Sequence, residues 1–374
     1  MLPPLPWRPI LRTSALATAG LALLLVLGVV LAGRGGVVTL VAAGDEGPSA
    51  EVLRRDFPGT ELPPGLGHDG QQFYAIARAL PHLSEAVPAL DRPAYRLQRP
   101  LLPVLAWLVH PGASGPALAI ALAAVGLAAV ALGCVATGAV ATTLGGSPHL
   151  AAAFAALPGT WAALRLGVAD NLALALAAAA LALSLRGRRG WAVAAAVAAV
   201  LAKESILLVL LPLALWPRPR RHVALVAVPA GVAAALALAL RWWLPPSGAQ
   251  VTELVLPFSG LATVVPAWLR GEDAAAGLLL AGACLAGVAA LRTRGRSGDL
   301  RLVAALHVAF VVSLSPDVVG LSFNVARATA PLLWAAVLVL ATGARVTAPD
   351  AAGAPAGVRE PGAPTPASRT STIG

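Results

Sequence analysis

The chain has 374 residues, of which 58% are hydrophobic and only 12% charged, and its mean hydropathy is +0.80. That composition excludes a soluble globular domain. Several apolar runs are long enough to cross a hydrocarbon core of about 30 Å, so an all-α, polytopic membrane protein is expected. The net charge of +10 does not point to nucleic acid, because the arginines cluster in short loops between apolar runs, where they set orientation. Cys134 and Cys284 lie within apolar runs and read as inert core thiols.

Arg8 and Arg12 precede the first apolar run, about 14–32, and place the N-terminus in the cytoplasm. The run is long for a signal peptide and many others follow, so an uncleaved anchor is expected. Residues 34–110 then form an extracytoplasmic loop. Its segment 71–80 reads as an amphipathic helix with Phe73, Ile76, Ala77 and Leu80 on one stripe. The apolar stretch from Leu101 to Val109, bounded by Pro100 and Pro111, is too short to span and is placed at the interface.

Further spans are expected at about 116–142, 149–164, 172–185, 223–240, 274–291, 302–314 and 328–341. The run from Trp191 to Trp216 is interrupted by Lys203, Glu204 and Ser205. Arginines flank both of its ends: Arg186, Arg188 and Arg189 before, Arg218, Arg220 and Arg221 after. Two arms of about 18 Å each would keep both clusters inside, so a re-entrant hairpin is expected in preference to a single span. The total is about eight full spans plus the hairpin, or eight to ten membrane helices. Residues 1–342 make up this membrane domain. Residues 343–374, rich in Pro, Ala, Gly and Thr, read as a disordered cytoplasmic tail.

This topology gathers Asp69, Arg96, Arg99, Asp170, Lys203, Glu204, Asp317 and Arg327 at the outer face. Ionisable groups near or within membrane helices are costly and mark a pathway or a site. Asp69 stands in His-Asp-Gly, where it is either a general base for an acceptor hydroxyl or a turn-forming aspartate. Arg96 and Arg99, three apart, either grip a phosphate or anchor lipid headgroups. Lys203 and Glu204 lie inside an apolar run, so each needs a partner: an ion pair or a lipid phosphate. Asp170 is either a second acid of the site or the helix cap before Asn171. Arg327 either meets a phosphate or anchors its helix end. The six histidines show no zinc spacing, and no phosphate-cradling glycine loop is present. No cofactor is expected, with one question open: whether Asp69 and Asp170 share a divalent cation.

Three stretches carry a resemblance: His68-Asp69-Gly70-Gln71-Gln72-Phe73-Tyr74, Asp91-Arg92-Pro93-Ala94-Tyr95-Arg96-Leu97-Gln98-Arg99, and Ala202-Lys203-Glu204-Ser205. Asp170 and Asn324-Val325-Ala326-Arg327 match more weakly. Together they resemble the GT-C superfamily of polytopic membrane glycosyltransferases. The resemblance implies a GT-C-like helical bundle in the plasma membrane with its active site extracytoplasmic. It implies transfer of a sugar from a polyprenyl-phosphate donor to an envelope glycolipid, glycan or protein acceptor, and a single direct displacement would invert the anomeric centre. Asp69 takes the place of the catalytic base; Tyr74, Arg96, Arg99, Asp170, Lys203, Glu204 and Arg327 take places in substrate binding. The chain departs from the pattern in carrying His68 for an aromatic tyrosine and an extra glutamine before Phe73. The alternative is a lipid-linked-sugar transporter, a flippase, or a non-catalytic subunit of envelope polysaccharide assembly.

Overall fold

The computed structural model describes residues 4–215, 223–244, 253–293 and 297–343. Arg218, Arg220, Arg221, Arg294, Arg296 and the tail from 344, on which part of the orientation reading rests, lie outside the described residues. Among the described residues the chain is helical, with one isolated antiparallel bridge between Leu254 and Leu314.

Helix α1, Trp7–Leu31, buries Ile10, Ser14, Leu21 and Leu25 and leaves Leu16, Leu23, Leu24 and Val30 exposed. A broad apolar surface of this kind suits lipid, not water. A short 3-10 segment and α2, Ala50–Asp56, lead to α3, Asp69–Ala79. The stripe read from sequence understates how deeply α3 sits: Gln71 and Gln72 are buried as well as Phe73 and Ile76. Their amides are satisfied, since Gln71 accepts from Gly44 N and Gln72 accepts from Asp91 N.

Two short helices follow, α4, Pro93–Leu97, and α5, Leu101–Val109. Helix α5 buries Leu102, Pro103 and Ala106 and exposes Leu108 and Val109, as a half-sunk interfacial helix would. Helix α6, Gly115–Thr143, is the long central element and packs along much of the bundle.

The expected span at 149–164 is not one helix. It is α7, Ala151–Ala156, and α8, Pro158–Leu166. Leu157 between them is extended at ψ 131°, because the ring of Pro158 crowds the preceding residue out of the helical region. Helix α9, Asp170–Leu185, then runs antiparallel to α10, Arg189–Ala202. Lys203 breaks the chain at φ −162°, ψ 120° before α11, Leu207–Leu215. The break falls where the hairpin reading put it. Lys203 meets Asp170, the first residue of α9, at 2.7 Å, so the break is level with the end of α9 and not with its middle.

The remaining helices are α12, Ala224–Trp243; α13, Ser259–Leu269; α14, Ala274–Arg292; α15, Gly298–Val312; α16, Pro316–Val319; and α17, Ser322–Gly343. Five helices, α1, α6, α12, α14 and α17, are long and apolar enough to cross a membrane. That is fewer than the eight spans expected. Helices α9 and α15 are too short at about 1.5 Å per residue, and α7–α8 is broken.

Small residues let these helices approach closely. A Cβ on Gly70 would overlap Leu166 O and sit 2.7 Å from Val41 O, and one on Gly159 would overlap Ala326 O. Gly70 therefore docks the start of α3 against α8, and Gly159 docks α8 against α17. Gly70→Ala is expected to destabilise the protein by about 3 kcal/mol, the upper end for overpacking against backbone. Thermal unfolding of the detergent-purified variant checks this.

Candidate functional site

Among the described residues a half-open cavity of about 1300 Å³ lies between the helices. Helix ends supply its charges. Asp69 is the first residue of α3, Asp170 the first of α9, Lys203 follows α10, Arg241 stands near the end of α12, and Arg327 lies in the first turns of α17. Leu174, Ile206, Leu208, Leu244, Phe310 and Leu314 give the cavity an apolar wall.

Asp69 and Asp170 share one cation. Arg327 Nη2 lies 3.4 Å from Asp69 Oδ2 and 3.1 Å from Asp170 Oδ2. The outer oxygen of each carboxylate has its own partner: Arg96 Nη1 at 2.8 Å from Asp69 Oδ1, and Lys203 Nζ at 2.7 Å from Asp170 Oδ1. Arg96 also grips Asp91 with two parallel bonds of 2.8 and 2.7 Å, the fork geometry that makes arginine–carboxylate pairs specific. Burial pushes the Asp69 carboxyl up. Arg327, Arg96 and Arg99 outweigh that and hold it well below the usual carboxylate range.

A second chain of charges adjoins the first. Arg99 makes a two-pronged pair with Glu204, Nε to Oε2 at 2.8 Å, and donates to Tyr95 Oη at 2.6 Å. Tyr95 Oη in turn donates to Glu253 Oε1 at 2.7 Å. The guanidinium carbons of Arg92 and Arg99 lie 4.3 and 4.2 Å from the Tyr95 ring centre, a cation–π stack on both neighbours. At the other edge the His68 ring meets Phe323 edge-on at 4.4 Å between centres. Burial lowers the pKa of His68, so the ring favours its neutral form.

The cavity thus brings together Asp69, Arg96, Arg99, Asp170, Lys203, Glu204 and Arg327. Tyr74 is not among them. Its side chain is fully buried, donates to Asp56 Oδ2 at 2.8 Å and accepts from Gly115 N at 2.6 Å. It ties α3 to α2 and to the start of α6. Removing the hydroxyl leaves the buried Asp56 carboxylate with Arg78 and Arg55 and orphans the Gly115 N–H. Tyr74→Phe is expected to cost about 1–3 kcal/mol of stability, with no contact to the cavity lost. Thermal unfolding of the detergent-purified variant against wild type checks this.

Sequence reasoning left Tyr95, Arg92, Arg241 and Glu253 out of the site. Tyr95 had a usable signal: Arg92 and Arg99 stand at i−3 and i+4 from it, the spacing that meets on one helical face. Arg241 had the signal of a cation in the last turn of a span beside Trp242 and Trp243. Glu253 had none, because its neighbour in space is 158 residues away.

For a divalent cation, the described residues contain no group of three or more His, Cys, Asp or Glu side chains. Asp69 and Asp170 are two carboxylates that face each other, and a guanidinium already lies between them. No family model, curated protein or solved structure matches this chain.

Proposed function

We propose that this protein is an integral-membrane glycosyltransferase of GT-C type, moving a sugar from a polyprenyl-phosphate donor to an envelope acceptor on the extracytoplasmic side of the plasma membrane. One observation carries the reading. A cavity beside helices long enough to cross a membrane combines two part-buried carboxylates, several guanidiniums, a lysine and an apolar wall. Phosphate, sugar and isoprenoid each find matching chemistry there.

In this reading Asp69 accepts the acceptor's hydroxyl proton as that oxygen bonds to the anomeric carbon. The bond from the anomeric carbon to the phosphate oxygen breaks, and the lipid phosphate leaves with the electron pair. One displacement inverts the anomeric centre. Lys203, Arg96, Arg99 and Arg327 supply a preorganised positive field for the leaving charge, the interaction that gains most in such a step. Arg241 joins them at the rim; among the described residues it has no carboxylate partner, so it meets an incoming phosphate without surrendering a pair.

A transporter is the competing reading. It calls for charges near the midplane with access from both sides. Here Asp69, Asp170, Lys203 and Arg327 all stand at or near helix ends, which supports a one-sided site. The test is transfer by the purified protein in lipid, given labelled polyprenyl-phosphate sugars and an envelope-lipid acceptor extract. Product formation with wild type supports the enzyme. Binding of polyprenyl phosphate with no transfer from any donor would favour the carrier or subunit.

A further inference from the structure

Arg327 occupies an unusual position for an arginine. Both inner oxygens of the two carboxylates face the same nitrogen, Nη2. Its Nε is buried without a partner, and Nη1 reaches only Asn324 Oδ1 at 3.4 Å. The guanidinium is therefore not placed to satisfy its own donors. It is placed to bridge Asp69 and Asp170.

A bridging divalent cation would sit at the same point. Magnesium needs oxygens at about 2.1 Å and near-octahedral geometry, and the space between the inner oxygens is filled by Nη2. The outer oxygens are no freer, since Arg96 and Lys203 hold them. Charge argues the same way. Asp69, Asp170 and Asp91 are balanced by Arg96, Lys203 and Arg327, with Arg99 and Glu204 as a further neutral pair. Adding a dication to this partly buried, already neutral cluster would leave two uncompensated positive charges.

We infer that Arg327 is a built-in cation that holds the Asp69–Asp170 pair in place of a divalent metal. The carboxylate pair is organised without metal, and the site opens to a divalent cation only when the guanidinium is removed. This inference does not depend on the sugar-transfer reading, because it concerns the carboxylates alone.

The experiment is manganese binding followed by electron paramagnetic resonance, on full-length protein purified in detergent and stripped with chelator. Four proteins are compared: wild type, Arg327→Ala, Arg327→Ala/Asp170→Asn, and the Asp69→Asn/Asp170→Asn double variant. Wild type is expected to bind no manganese that the double variant lacks. Arg327→Ala is expected to gain one site at least about tenfold tighter than any in wild type, and to lose it again when Asp170→Asn is added. A wild-type site that disappears in the double variant would overturn the inference. So would a folded Arg327→Ala protein that gains no site. If Arg327→Ala does not fold, Arg327→Gln replaces it, and the wild-type comparison decides the first half by itself. Where transfer is measurable, wild-type turnover is expected to be unchanged by EDTA.

Discussion

On the proposed sugar-transfer reading, Asp69→Asn is expected to lower kcat by about a thousandfold, within the 10²–10⁴ that a positioned base contributes. The fold is expected to survive. Arg96 keeps its two bonds to Asp91, and Arg327 keeps Asp170, so neither cation is left alone. The depressed pKa of Asp69 appears at first to argue against a base. The transition state of glycosyl transfer is oxocarbenium-like, so the acceptor oxygen becomes strongly acidic once it begins to bond to the anomeric carbon. A carboxylate of low basicity is then sufficient, and its advantage is that it is always ionised.

In the proposed reaction an arriving phosphate adds to this. Any draw it exerts on Arg96 or Arg327 loosens their hold on Asp69 and raises its basicity when donor is bound. The sign of the pH dependence follows. In the free protein Asp69 protonates only below the usual carboxylate range, so the acid limb of kcat/KM falls below about pH 4. Its contribution to stability is likewise present above the unfolded pKa and lost as pH falls through the lower folded one. An acid limb at pH 5–6 would assign the base to another group.

The sequence made part of this arrangement readable, and the reasons are physical. A short apolar run between flanking prolines was enough for α5, and the cost of a lysine in an apolar run was enough for the break at Lys203. The failure at α7–α8 had a local signal that hydropathy ignores: Pro158 stands inside the apolar run and expels Leu157 from the helix. Tyr74 was misplaced for a different reason. It stands five residues after Asp69 on the same helix, and at about 100° per residue that turns it about 140° away. Asp69 faces the cavity while Tyr74 faces Asp56. The pairing of the charges was beyond the sequence. Nothing in the spacing of Asp69, Asp170 and Arg327 says that one nitrogen will serve two carboxylates, because three separate helices bring them together.

Arg99 and Glu204 give the second large effect, and they separate structure from function. Arg99 stands just after α4, and Glu204 follows the Lys203 break. Their two-pronged bond fastens the α4 segment to the tip of the α10–α11 unit. The Arg99 side chain is only 5% exposed and that of Glu204 33%, so each charge depends mainly on the other. Arg99→Met is expected to cost about 3 kcal/mol, the low end for breaking a buried pair because water reaches Glu204. Tyr95 loses its donor from Arg99 but keeps its bond to Glu253. The double variant Arg99→Met/Glu204→Leu leaves no orphaned charge, and its stability is expected to return to within about 1–2 kcal/mol of wild type. Transfer is not expected to return with it, because the double variant restores packing but not the guanidinium field for the leaving phosphate. Thermal unfolding and transfer kinetics on the same three preparations make the comparison. Recovery of both stability and transfer would reduce the Arg99–Glu204 pair to a fastener and move phosphate recognition to Lys203 and Arg241.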